Sequence, residues 1–130
     1  MTILGVTNSF TGPAEALEIL ENHAYAVSGS FVSAGGDSAD TTYLSFTSGN
    51  YYFVGTISVY EKNSGGSAAR YMDTSFNGVN IMDIKSDGNP DWLNNFPIPI
   101  IIPAYTEVEV KCGINGGEIF SVVLVGRVYK

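Results

Sequence analysis

One cysteine, one histidine and six basic residues are all that this 130-residue chain holds of three residue types on which much protein chemistry depends. With Cys112 alone, neither an intramolecular disulfide nor a multi-cysteine zinc site can form, so packing or association must hold the fold. With His23 alone and no motif around it, spacing picks out no nucleophile, base and orienting acid. His23 reads instead as a structural polar residue at the start of a strand. Six Lys and Arg against 13 Asp and Glu give a formal net charge of −7, which a phosphate backbone would meet with repulsion. Lys62, Arg70, Lys85, Lys111, Arg127 and Lys130 are scattered and form no basic run, so direct nucleic-acid binding is not expected. Long apolar runs are missing as well. The longest stretch, around residues 98–102, is broken by Pro97, Pro99 and Pro103, and the opening residues MTILGVTNSF have neither the basic nor the apolar region of a secretory signal. No membrane span and no classical secretion are expected, and synthesis in a cytoplasm is the simplest reading.

What the chain does have suits strands and turns. Hydrophobic residues make up 45% and charged residues 15%, where globular chains usually carry about 25% charged residues. Ser, Thr, Asn and 15 Gly supply the polarity and the positive-φ positions of turns. The length fits one domain with a core of its own. Pro13 to Glu21 gives the one helical pattern, with Thr11 or Gly12 as cap, Pro13 at the first position, acids in the first turn, and Ala14, Leu17 and Leu20 on one face. Nine residues are too few for a stable helix alone, so this one must dock. From His23 the period becomes two. Runs at 25–31, 42–47, 51–60, 69–72, 79–85, 106–112 and 118–129 are separated by Gly, Asn, Asp and Ser, with Gly49-Asn50 as the strongest hairpin signal. Val108, Val110 and Cys112 alternate with Glu107, Glu109 and Lys111, which predicts one wet face. The apolar run from Glu118 to Tyr129 predicts a strand buried on both faces. The expected architecture is all-β: a β-sandwich or jelly roll of about eight antiparallel strands, residues 23–130, preceded by an arm and short helix, residues 1–22.

Few residues invite a chemical role. Cys112 shares the inward parity of Val108 and Val110, so it reads as a small buried hydrophobe. Asp87-Gly88-Asn89-Pro90-Asp91 resembles half a calcium loop, but Trp92 stands where the loop needs glycine and no Glu closes it, so a turn is expected there. Carboxylates for glycoside hydrolysis would have to come from Asp73, Asp83, Glu107 or Glu109, and nothing pairs any two of them. Trp92 lies in a polar loop before Leu93-Asn94-Asn95-Phe96, where an aromatic can reach a partner, although the first expectation for it is a side chain tucked over the end of the core. Gly35-Gly36, Gly65-Gly66 and Gly116-Gly117 are turn glycines and not a phosphate-binding loop. No catalytic residue, cofactor or metal ligand is expected, and the chain is read as a structural or binding protein, not an enzyme.

The segment from Ile98 to Val110, IPIIIPAYTEVEV, followed by a Gly-Gly turn and Val123-Leu124-Val125-Gly126-Arg127-Val128-Tyr129, resembles the closing strands of small jelly-roll virion proteins of tailed bacteriophages. The resemblance covers about the last third of the chain, and the rest only in strand rhythm. It implies a capsid decoration or cement protein, made in the host cytoplasm, sitting on the capsid exterior as a homotrimer, with the major capsid protein as partner. Contacts are then expected from Ile3, Leu4, Phe10, Leu17 and Leu20 in the arm and helix, and from Trp92, Leu93 and Phe96 in the long loop, on exposed-apolar grounds. The alternative is a carbohydrate- or receptor-binding module of a head fibre or tail, with Trp92 and loop tyrosines stacking on sugars.

Overall fold

The computed structural model describes residues 12–33, 39–62, 70–86, 97–114 and 119–130, and these form an all-β chain without a helix. Ten strands follow one another: β1 (Glu18–Leu20), β2 (His23–Val27), β3 (Phe31–Val32), β4 (Thr41–Thr47), β5 (Tyr52–Lys62), β6 (Arg70–Phe76), β7 (Val79–Ser86), β8 (Ile98–Ile102), β9 (Glu107–Ile114) and β10 (Ile119–Tyr129). They make two sheets, β1-β2-β10-β5-β8 with β3 also on β10, and β4-β9-β6-β7. Every strand pairing is antiparallel. Four of the pairings nest: β2 with β10, β4 with β9, β5 with β8, and β6 with β7. The chain is thus one long hairpin, rolled up so that its two arms cross between sheets together. Its tip is Asn77-Gly78, both at positive φ (51° and 79°), the conformation that an Asn-Gly pair favours and that matches the twist of the flanking strands.

The core lies between the sheets. Ala24, Ala26, Phe53, Ile57, Val59, Ile100, Ile102, Phe120, Val122 and Leu124 come from the first sheet, and Phe46, Met72, Val108, Val110 and Cys112 from the second. Both Tyr43 and Leu44 are buried although they are consecutive. A bulge between Thr42 and Leu44 breaks the alternation. Tyr43 stacks on Phe31 with centroids 4.1 Å apart, and its hydroxyl donates to the Phe31 carbonyl at 2.7 Å. Close to one end of the core a buried ion pair crosses between sheets, with Arg70 Nε of β6 donating to Glu61 Oε2 of β5 at 2.5 Å. In the first sheet, Gly55 and Gly126 face each other, and a Cβ on either would meet the opposite backbone and the Phe53 ring.

Three sequence expectations need correction. The helix over 13–21 is absent. Ala14 pairs in parallel with Leu44, giving its carbonyl to Ser45 N at 2.9 Å and its N–H to Tyr43 O at 3.0 Å, and Glu18–Leu20 forms a strand on β2. A helix of nine residues gains little by itself, whereas the extended segment completes the ladders of two sheet edges and lays Ala14, Leu17 and Ile19 against the core. The arm boundary expected after residue 22 therefore falls at the turn of the β1–β2 hairpin, where Glu21 has φ 55°. Gly49-Asn50 is not a hairpin turn either, because β4 and β5 lie in different sheets. Here the chain crosses beside the β8–β9 connection. The Ser48 hydroxyl donates to Pro103 O at 2.7 Å and accepts from Thr106 N at 3.0 Å, while Tyr105 N donates to Gly49 O at 2.6 Å. Lastly, β10 is buried on one face only. Phe120, Val122, Leu124 and Val128 point in, while Val125, Arg127 and Tyr129 are exposed, since no layer of the described residues covers the outside of the first sheet.

Candidate functional site

That uncovered surface is the most distinctive one on the molecule, and strand parity builds it. Because Ala24 and Ala26, Phe53 and Ile57, Phe120 and Leu124, and Ile100 and Ile102 point inward, their neighbours point out. The cross-strand registers then set these neighbours in rows. Val54 lies between Ile101 and Arg127, and Arg127 beside His23, which faces Leu20. Thr56 lies between Pro99 and Val125, and Val125 beside Tyr25. Val123 lies between Ser58 and Val27, and Ser121 pairs with Tyr60. At the far end Tyr52 and Tyr129 stack, with centroids 5.6 Å apart. Leu20 is 67% exposed, Ile101 62% and Val125 46%. The outward positions of β2, β5, β8 and β10 carry no carboxylate in a chain of net charge −7.

The opposite surface, the outside of the second sheet, is charged. Glu109 and Lys111 pair at 3.4 Å, and the Lys85 ammonium lies 5.8 Å from the centre of the Tyr71 ring. Asp73 stands directly opposite Asp83 in the β6–β7 ladder. Partial burial lifts the Asp73 carboxyl above the usual carboxylate range, helped by the hydrogen bond that its protonated form donates to Asp83 and by the charge of Asp83, and opposed by Lys111. The two carboxyls stand as a like-charged pair, but among the described residues no three His, Cys, Asp or Glu gather to hold a metal ion. Asp83 and Glu109, weighed as catalytic carboxylates, do not face one another in register, since Glu109 stands opposite Ser45 and Ser75. Cys112 is fully buried and its thiol is pushed well up by that burial. His23 is exposed at the start of β2.

Of the contact residues expected from the sequence, Leu20 lies on the apolar face and Leu17 is half-buried against the core. Ile3, Leu4, Phe10, Trp92, Leu93 and Phe96 lie outside the described residues, as does the Asp87–Asp91 turn. Sequence reasoning missed Val54, Ile101, Val123 and Val125. For Val123 and Val125 a signal was present: a continuous apolar run at β10 means two buried faces, and the described residues cover one. No helix of the described residues is long and apolar enough to cross a membrane. Comparison with protein families, with curated proteins and with solved structures gave no match, so the functional reading rests on this geometry and on the motifs.

Proposed function

We propose that this chain is a structural virion protein that decorates and cements a capsid, acting by burial of surface and not by catalysis. The observation that carries the reading is the largely apolar outer face of the first sheet, where the outward positions of β2, β5, β8 and β10 carry no carboxylate, a surface of the kind that marks association. The nested pairings support a jelly roll, because eight strands in the orders β2-β10-β5-β8 and β4-β9-β6-β7 are what a rolled-up hairpin of that type produces. The resemblance of residues 98–129 to phage virion proteins adds the setting: the capsid exterior, with the major capsid protein as partner. Cementing then follows from linkage, since a protein that binds the assembled lattice better than separate subunits stabilises the lattice.

Shells assembled from the major capsid protein of the same genome test this. The full chain should co-sediment with them to a fixed stoichiometry and raise the temperature at which they rupture. A chain that stays in the supernatant at every concentration would overturn the proposal. A second reading, a sugar-binding module, draws on the Tyr52–Tyr129 stack and on Tyr105, which is 73% exposed at a positive φ of 56°. Binding on a glycan array that is lost in Trp92→Ala or Tyr105→Ala would favour it.

A further inference from the structure

We infer that the outer face of the first sheet is covered by a second copy of this chain, the two sheets packing face to face about a two-fold axis. The inference rests on the association reading above, names the occupant of that face and sets a dimer in place of the homotrimer that the resemblance implies. Three features point to a second copy. The first is charge. Two chains of −7 repel, and the outside of the second sheet, with Asp73, Asp83, Glu107 and Glu109 against Lys85 and Lys111, would set acid against acid in a symmetric contact. The outward positions of β2, β5, β8 and β10 hold no carboxylate, and Glu18 stands only on the short outermost strand β1. Such a face can meet its own copy without that repulsion.

The second feature is shape. Sheets twist with a fixed hand, so two copies of one sheet are complementary when rotated by about 30°, which is how the sheets of β-sandwiches pack. A two-fold contact also lets each residue meet a surface of the same chemistry. The third is extent. At roughly 3.3 Å per residue and 4.8 Å between strands, the first sheet presents about 600 Å² in plan. Side-chain relief brings that near the ~800 Å² per partner of a stable interface. Edge-to-edge pairing of the same sheet is discouraged, because β8 carries Pro99 and is flanked by Pro97 and Pro103, while β1 is three residues long. The face remains. A dimer joined there would turn its remaining surfaces outward on both sides and bind a lattice bivalently.

The test is the solution mass of the full chain by light scattering across a concentration series, alongside Val125→Lys, Ile101→Lys and, on the opposite sheet, Lys85→Glu. The wild-type chain should have the mass of two copies. Val125→Lys and Ile101→Lys should raise the dissociation constant by ~100-fold, because each places two ammonium groups in a desolvated contact, and Lys85→Glu should leave the mass unchanged. Circular dichroism should show all variants folded. A cross-linking pair keeps the idea testable even if a charged variant fails to fold. Ser58→Cys on the face should be joined by a short bis-maleimide, whereas Thr47→Cys should not be, with buried Cys112 inert in both. A wild-type monomer, a trimer, or a dimer untouched by Val125→Lys would overturn the inference. A monomer that still binds shells would overturn this inference alone, and a Val125-dependent dimer that never binds shells would overturn the capsid reading alone.

Discussion

The two sheets share one core and differ in what they turn outward. Outside the first sheet, valines, isoleucine, proline and tyrosines stand in register, with Arg127 and His23 side by side; outside the second, acids and lysines alternate, and exposed Val79 and Ile81 lie at the β7 edge by the bulge opposite Thr74 and Ser75. Solvent is an adequate partner for the charged face, since exposed carboxylates and ammonium groups are hydrated without help. For the apolar face it is a poor one, because every exposed branched side chain there forgoes the burial that stabilises its inward neighbours by about 25 cal/mol per Å². The difference separates residues that hold the sandwich together from residues left over for a partner.

Substitutions can break or sharpen that division. The largest effect is expected where the sheets are joined. Arg70→Met takes the guanidinium away from the buried Glu61 carboxylate and should cost about 3–5 kcal/mol in denaturant unfolding. Adding Glu61→Leu should restore most of it, because a paired apolar replacement leaves no buried charge. Gly126→Ala should cost about 3 kcal/mol, since its Cβ would collide with the backbone of β5 and the Phe53 ring. At Asp73 the sign reverses. Its folded-state pKa is raised, so the stability it allows is fully present below the unfolded carboxyl range and is lost as pH rises through the raised value. Asp73→Asn should therefore stabilise the fold by up to about 1 kcal/mol at neutral pH and flatten the fall in stability above pH ~4. The smallest effect belongs to the apolar face. Val125→Thr should change the unfolding free energy of the separate chain by less than about 0.5 kcal/mol, as a surface substitution does.

Local pattern revealed much of this architecture and misled where local and long-range pairing compete. The alternation of Val108, Val110 and Cys112 with Glu107, Glu109 and Lys111 is as the sequence implies, because one side of β9 faces the core and the other water. The helical signal at 13–21 is overridden by sheet edges that a chain without tertiary context does not display. Gly49-Asn50 carries turn chemistry that serves a crossing between sheets, while the hairpin that the rolled chain is built around, Asn77-Gly78, lay in plain view as the strongest dipeptide for such a turn. The Asp73–Asp83 pair and the Arg70–Glu61 bridge depend on register and on which sheet each strand joins, and strand rhythm encodes neither. The apolar face was half legible: the run at β10 was read as buried on both sides, and the described residues cover one of them.

The central claim is that the outside of the first sheet, and not that of the second, becomes covered when the protein associates. Hydroxyl-radical footprinting of the full chain, dilute and then associated, measures this side chain by side chain. Protection of Val54, Ile101, Val125 and Tyr60, with Val79, Ile81 and Tyr71 labelled as before, is the predicted result. Protection of the β6–β7 face with Ile101 and Val125 still fully reactive would contradict it.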